Sequence, residues 1–193
     1  MLKKQARQVF IEKRKGVTGT QRQKWDDLLL IQFQRLALPP IETLMTFQSM
    51  ENFNEPATDA ITDYLIFSNP GVQVAYPVCD FATSTMRAFV TEDDTTFMPN
   101  RFGTLEPESN VEMSPASIDL IIVPLLCFDK AGYRVGFGKG FYDKFLSSPG
   151  MRAVKVGLSY FEPIDKIVNS NHFDVPLDYC ITPERIYGFE QNH

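Results

Sequence analysis

Residues 132–143 read GYRVGFGKGFYD and bring Arg134, Gly136, Gly138, Lys139, Gly140 and Asp143 into ten consecutive positions, 134–143. Glycines at alternate positions let a chain present backbone N–H groups to an anion, while Arg134 and Lys139 add cationic charge and Asp143 is a hard oxygen ligand. This is chemistry suited to a polyphosphate held with a metal ion. Two common phosphate loops are excluded. Lys139 is followed by Gly140 where a P-loop has Ser or Thr, and the third glycine stands at 140 where the dinucleotide fingerprint would put it at 141. A glycine-rich connection can also be a plain tight turn. The interposed Arg134 and Lys139 favour the anion cradle.

Such a cradle must be held by regular elements, and hydrophobic periodicity supplies them. The run DLIIVPLLCF at 119–128 reads as a buried strand emptying into the glycine loop, with its central part at 118–123. Upstream, Leu2, Ala6, Val9 and Phe10 recur at helical spacing over 2–15, and a second helix spans 20–38 until Pro39 and Pro40 stop it. A strand at 43–47, a polar loop at 48–54, a helix at 57–67 and strands at 72–76 and 85–90 follow. Residues 91–115, rich in Thr, Asp, Asn and Pro, read as a long loop. Beyond the glycines come a helix at 140–146 and strands at 153–158, 179–182 and 185–189. Helices alternating with β-branched strands predict an α/β protein, a three-layer α/β/α sandwich around a mostly parallel central sheet. Ligands of such sheets sit beyond the carboxyl ends of strands, so the loops after Phe47, Val123 and Leu158 are expected to converge on one cleft.

Composition narrows the classes. The 193 residues suit one domain spanning 1–193, with 44% hydrophobic and 22% charged residues and no apolar run of membrane-spanning length. The basic start MLKKQAR runs into charged helix and carries no secretory h-region, which points to a cytoplasmic protein. Cys79, Cys127 and Cys180 are odd in number and lack CxxC spacing, so reduced thiols are expected. His172 and His193 alone cannot build a histidine metal cluster. A net charge of −5 argues against a general nucleic-acid binder and for a small-molecule substrate.

The block at 119–146, DLIIVPLLCFDKAGYRVGFGKGFYDKFL, resembles the signature of the 5-formyltetrahydrofolate cyclo-ligase family, also called methenyltetrahydrofolate synthetases. The basic amino terminus with Lys3, Arg7 and Arg14, the FGTLEP segment at 102–107 and the HFDVPLD segment at 172–178 are similar to the family in the same order. The resemblance implies the same three-layer fold; a monomer is expected, and charge and composition point away from nucleic-acid and membrane partners. It also implies a reaction: ATP-dependent cyclisation of 5-formyltetrahydrofolate to 5,10-methenyltetrahydrofolate through an iminium phosphate, with magnesium as cofactor and ADP and phosphate released.

Carried over residue by residue, the resemblance assigns ATP to Lys3 and Arg7, four apart on one helical face, and to Arg134, Gly136, Phe137, Gly138, Lys139, Gly140, Phe141 and Tyr142. Lys139 and Arg134 are the catalytic cations, and Asp143 and Asp174 the magnesium ligands. Gln48, Met50 and Asn52, with Phe137 and Phe141, would contact the folate. The family commonly has a glutamate near the place of Asn52, and here the acid at hand is Glu51. Two other functions are compatible with the residues: a binding protein that keeps the nucleotide site without cyclising, and a sugar-phosphate isomerase of similar architecture.

Overall fold

The computed structural model describes residues 1–189. In chain order the elements are α1 (Lys3–Lys15), α2 (Gly19–Phe33), β1 (Thr43–Met45), α3 (Asp59–Ser68), β2 (Gln73–Asp80), β3 (Thr85–Thr91), β4 (Phe97–Pro99), β5 (Leu105–Pro107) and β6 (Glu112–Met113). They continue as β7 (Leu120–Val123), β8 (Cys127–Phe128), β9 (Arg134–Val135), α4 (Phe141–Leu146), β10 (Val154–Leu158), β11 (Tyr179–Ile181) and β12 (Ile186–Gly188).

Eight strands form one sheet in the order β12-β11-β10-β7-β1-β2-β3-β6. The inner strands β11, β10, β7, β1 and β2 run parallel, and antiparallel strands close both edges. Strand β7 shows why both faces are covered, because all four of its residues are apolar and buried. Leu120 and Ile122 pack with Leu29 and Phe33 of α2 and Ile61 and Leu65 of α3. Ile121 and Val123 point to the opposite layer, with Phe145 and Leu146 of α4. The expected α/β/α sandwich with a mostly parallel sheet is therefore found. Burial of each such aliphatic side chain contributes about 1.5–3 kcal/mol.

The structure redraws four expectations. Helix α2 begins at an N-cap in which Thr18 Oγ1 accepts the Gln21 N–H at 3.3 Å, and it ends at Phe33, short of 38. Its last turn tightens, with Arg35 N–H bonding to Gln32 and Leu36 N–H to Phe33, which unwinds the chain before the prolines. The apolar run at 119–128 is two strands, since the chain leaves the sheet at Pro124, and β8 pairs instead with β9 in a small antiparallel hairpin. The glycine loop thus leaves a hairpin strand, not the central strand. Residues 91–115 also hold structure: β4 and β5 form a second hairpin and β6 joins the main sheet. The turn between β4 and β5 is built by Asn100, whose Oδ1 accepts the N–H groups of Phe102 at 2.9 Å and Thr104 at 3.2 Å.

Helix α1 packs on the β8–β9 hairpin through Ala6 and Phe10, beside Leu126, Cys127 and Val135. Its buried stripe is Ala6, Phe10 and Arg14, whereas Leu2 and Val9 are exposed. A charged residue therefore occupies a core-facing position of α1.

Candidate active site

A cleft of about 950 Å³ lies between α1, the glycine loop, the loop after β1 and the β4–β5 hairpin. Its volume suits a drug-sized or cofactor-sized ligand.

The glycine loop forms one wall. Gly138 and Gly140 sit at φ +92° and +74°, conformations that side-chain-bearing residues avoid. Arg7 reaches the loop from α1, its Nε donating to the Gly136 carbonyl at 2.9 Å. A Cβ on Gly138 would lie 2.9 Å from Arg7 Cζ, so the glycine is also needed for this close approach. Gly140 caps α4, which has only six residues. Lys139 projects between the two turns, exposed, with Nζ 5.4 Å from the centre of the Phe102 ring. Among the described residues it forms no ion pair.

Arg134 is buried at 8% exposure, where its Nη2 donates to Asp143 Oδ1 at 2.9 Å and its Nη1 to the Val175 carbonyl. Burial lowers the proton affinity of the guanidinium, and the charge of Asp143 opposes that shift. The Val175 N–H bonds to the same Asp143 oxygen at 3.2 Å. Arg134 thus fastens the two ends of the loop, while Lys139 is left as the exposed cation. At the near end of α1, Lys3 Nζ donates to both oxygens of Asp174, at 2.5 and 2.6 Å, and the Asn171 N–H binds Oδ2 at 2.7 Å.

Aromatic side chains line the middle of the cleft. Phe137 meets Phe53 edge-on at 5.1 Å, Phe141 meets Phe81 at 5.1 Å, and Phe81 packs on Phe102 at 4.5 Å. Tyr142 lines the same space with its hydroxyl buried and unpartnered, and burial raises its pKa above the ordinary phenol range. Gln48 and Met50 also line it, with Thr104 Oγ1 3.6 Å from Met50 Sδ.

Asn52 is not among the lining residues; it borders a recess of about 60 Å³ behind Arg14. The acid in this loop is Glu55, which sequence reasoning missed. A 3₁₀ turn at Glu51–Phe53 and a left-handed Asn54 at φ 45° turn the chain back, and Glu55 folds under it with Oε2 accepting the Met50 N–H at 2.9 Å. The Asn-Glu-Pro order at 54–56 is the one signal that could have marked this turn. Burial raises the Glu55 pKa, against the Met50 amide and the charge of Arg14. The β2–β3 segment and the β4–β5 hairpin, which supply Cys79, Phe81, Asn100 and Phe102, were also not anticipated as walls. The loop after Leu158, expected here, packs elsewhere: Tyr160 lies against Trp25 and Phe161 against Phe10.

Among the described residues no group of three or more His, Cys, Asp or Glu side chains could hold a metal by itself. His172 stacks on Phe173 outside the cleft lining, and His193 lies outside the described residues.

Fold and cleft together define an α/β protein with a cation-bearing glycine loop facing a single buried carboxylate. The chain belongs to the 5-formyltetrahydrofolate cyclo-ligase family, whose family model matches residues 2–183. Among curated relatives, the 5-formyltetrahydrofolate cyclo-ligase of Mycoplasma genitalium is 39% identical over 74 residues, 38% of this chain and 44% of that protein. The protein of the same name from Mycoplasma pneumoniae is 28% identical over 147 residues, 76% of each chain. The match thus spans less than half the length of the M. genitalium relative. In structure, the chain is similar to a 5,10-methenyltetrahydrofolate synthetase from M. pneumoniae, with TM-score 0.74 at 24% identity, covering 94% of this chain and 98% of that one. It is also similar to that of Aquifex aeolicus, with TM-score 0.78 at 21% identity over 100% and 95% of the two chains. At these identities the structural likeness concerns the fold.

Proposed function

We propose that the chain is a 5-formyltetrahydrofolate cyclo-ligase, converting 5-formyltetrahydrofolate and ATP to 5,10-methenyltetrahydrofolate, ADP and phosphate. The observation that carries this is the placement of Lys139 and the glycine loop in the same cleft as Glu55. Such a cleft suits a substrate with a phosphate-rich partner at one end and an N–H-bearing ring at the other.

An amide-like formyl oxygen is a poor leaving group. In the proposed reaction it attacks the γ-phosphorus of ATP, the bond to the β–γ bridging oxygen breaks and ADP leaves. N10 of the folate then adds to the activated formyl carbon, and phosphate departs as the ring closes, taking up the proton lost by N10. Catalysis of this kind is mostly positioning and charge neutralisation. Lys139, exposed and without an ion-pair partner among the described residues, would meet the charge that builds on the transferred phosphoryl group. Gly136, Gly138 and Gly140 would let the backbone approach the phosphates, with Lys3 and Arg7 completing the cationic wall. Arg134 would act by holding the loop shut on Asp143. Phe137 and Phe141 would flank the folate ring, and the carboxylate of Glu55, which lines the cleft, would accept its N–H donors.

Magnesium fits one of the two carboxylates assigned to it. Asp143 has 30% of its side chain exposed, and its hydrogen bonds all fall on Oδ1, so Oδ2 would serve as a ligand beside phosphate oxygens and water. Asp174 has both oxygens engaged by Lys3. When bound, the ion would neutralise phosphate charge.

The binding-only alternative drew on a loop without its acid, and Glu55 supplies one. The free thiols Cys79, Cys127 and Cys180 support a cytoplasmic setting. No helix among the described residues is long and apolar enough to cross a membrane. The test is ADP release in a coupled assay. Release that requires 5-formyltetrahydrofolate is expected, and ADP formed at the same rate without the folate would contradict the proposal.

A further inference from the structure

Arg14 and Glu55 are each only 2% exposed, yet they meet poorly. Arg14 Nη1 lies 3.8 Å from Glu55 Oε1, too far for a hydrogen bond, and Arg14 Nε, Arg14 Nη1 and Glu55 Oε1 have no hydrogen-bond partner. A buried ion pair is a poor stabilising device even with good geometry, since desolvating both charges offsets their attraction. One left with spare donors and a spare acceptor is poorer still. Its surroundings nevertheless fix it firmly. Arg14 Nη2 donates to the Leu125 carbonyl, and Asn54 Nδ2 ties the Glu55 loop to the Arg14 carbonyl at 2.7 Å. Tyr160 Oη, which donates to Asp26 at 2.6 Å, lies 3.3 Å from the Glu55 carbonyl. Lys3, Arg7 and Arg14 are spaced four and seven apart on α1, hence on one face of the helix. The helix that grips the glycine loop and Asp174 therefore also delivers a cation to the opposite end of the cleft.

We infer that Arg14 is a positioning residue for the folate: it supplies the counter-charge that holds Glu55, at the cleft lining, as a carboxylate. The inference rests on the cyclo-ligase reading and adds to it a residue that touches neither substrate. A neutral Glu55 would offer a weaker acceptor and a competing donor, so folate affinity depends on the charge of a group it does not contact. Burial pushes Glu55 toward the neutral form, and Arg14 pulls it back. The other groups acting on this carboxylate or its partner are Arg22 on α2, Tyr142 on α4, Cys127 on β8 and Tyr160, the last bonded to Asp26.

The test is the pH dependence of 5-formyltetrahydrofolate affinity, measured by calorimetry for the wild type and for R14Q, R14K, E55Q and D26N, with ATP affinity measured alongside. The wild type loses folate affinity as pH falls through the Glu55 pKa. In R14Q that acid limb moves up by about one pH unit or more, R14K brings it back toward the wild-type position, and ATP affinity hardly changes. E55Q abolishes the limb together with most of the affinity, and D26N leaves it in place. An R14Q limb at the wild-type position, or equal weakening toward ATP and folate, overturns the inference while the cyclo-ligase reading stands. A wild type that binds no folate at any pH overturns both. Should R14Q not fold, the infrared difference between wild type and E55Q decides: an ionised Glu55 at neutral pH supports the inference, and a protonated one overturns it.

Discussion

Arg134 and Asp143 close the glycine loop upon itself, with Nη2 and Oδ1 2.9 Å apart. The arginine is the buried partner and the aspartate the accessible one, with side chains 5% and 30% exposed. Two roles follow. Removing the guanidinium in R134M leaves the Val175 carbonyl without its donor and costs roughly 1–3 kcal/mol of stability, seen as a drop in the chemical-denaturation midpoint. R134K keeps the charge but not the fork, and recovers only part of that loss. Unchanged unfolding of R134M would show that the pair does not hold the loop.

Replacing Asp143 should read differently. D143N keeps a carbonyl oxygen for Arg134 but loses the charge offered to magnesium, so the magnesium concentration giving half-maximal turnover rises while folding changes little. An unchanged magnesium titration would reduce Asp143 to a fastener of the loop.

Lys139 is exposed and lies over the Phe102 ring, so it contributes little to the core. K139A should lower turnover by about two to three orders of magnitude, as loss of a transition-state donor does, with a thermal midpoint close to wild type. Near-normal turnover would remove Lys139 from the chemistry.

G138A places a methyl group 2.9 Å from Arg7 Cζ at a φ of +92°. The backbone strain costs about 1–2 kcal/mol, and Arg7 must shift from the Gly136 carbonyl. The expected result is a raised KM for ATP with a smaller change in the folate KM, read from steady-state kinetics at saturating co-substrate. Equal changes in both would show that the loop is damaged as a whole.

Alkaline pH provides a check independent of catalysis. Burial raises the thiol pKa of Cys79 and of Cys127 from 9.0 to about 12, and that of Cys180 well above 9.0. The folded chain keeps these protons where the unfolded chain has lost them. Stability is therefore fully present below the unfolded thiol value of 9.0 and declines as pH rises from there toward about 12. Native protein should react slowly with thiol reagents at neutral pH and rapidly once denatured, and fast native labelling would show the thiols to be accessible.

What the sequence made legible was local. Gly138 and Gly140 mark a turn that needs positive φ, Arg134 and Lys139 mark it as cationic, and the apolar β7 announces a strand covered on both faces. The chain could not reveal which side chains meet across it. Arg134 and Asp143 were legible as charges but not as a pair, and Lys3 meets Asp174 from 171 positions away. Glu55 was missed because its place depends on one left-handed residue, Asn54, which reverses the chain and leaves Asn52 outside the cleft. The β4–β5 hairpin was hidden because its strands are three residues each, too short for alternation to register.

The central claim is that this cleft joins phosphoryl transfer from ATP to ring closure. Purified protein mixed with 5-formyltetrahydrofolate and magnesium-ATP should produce a near-ultraviolet absorbance rise from the methenyl product, with ADP formed in equal amount and no rise when ATP is withheld. Bound ATP and folate with no absorbance change would contradict it.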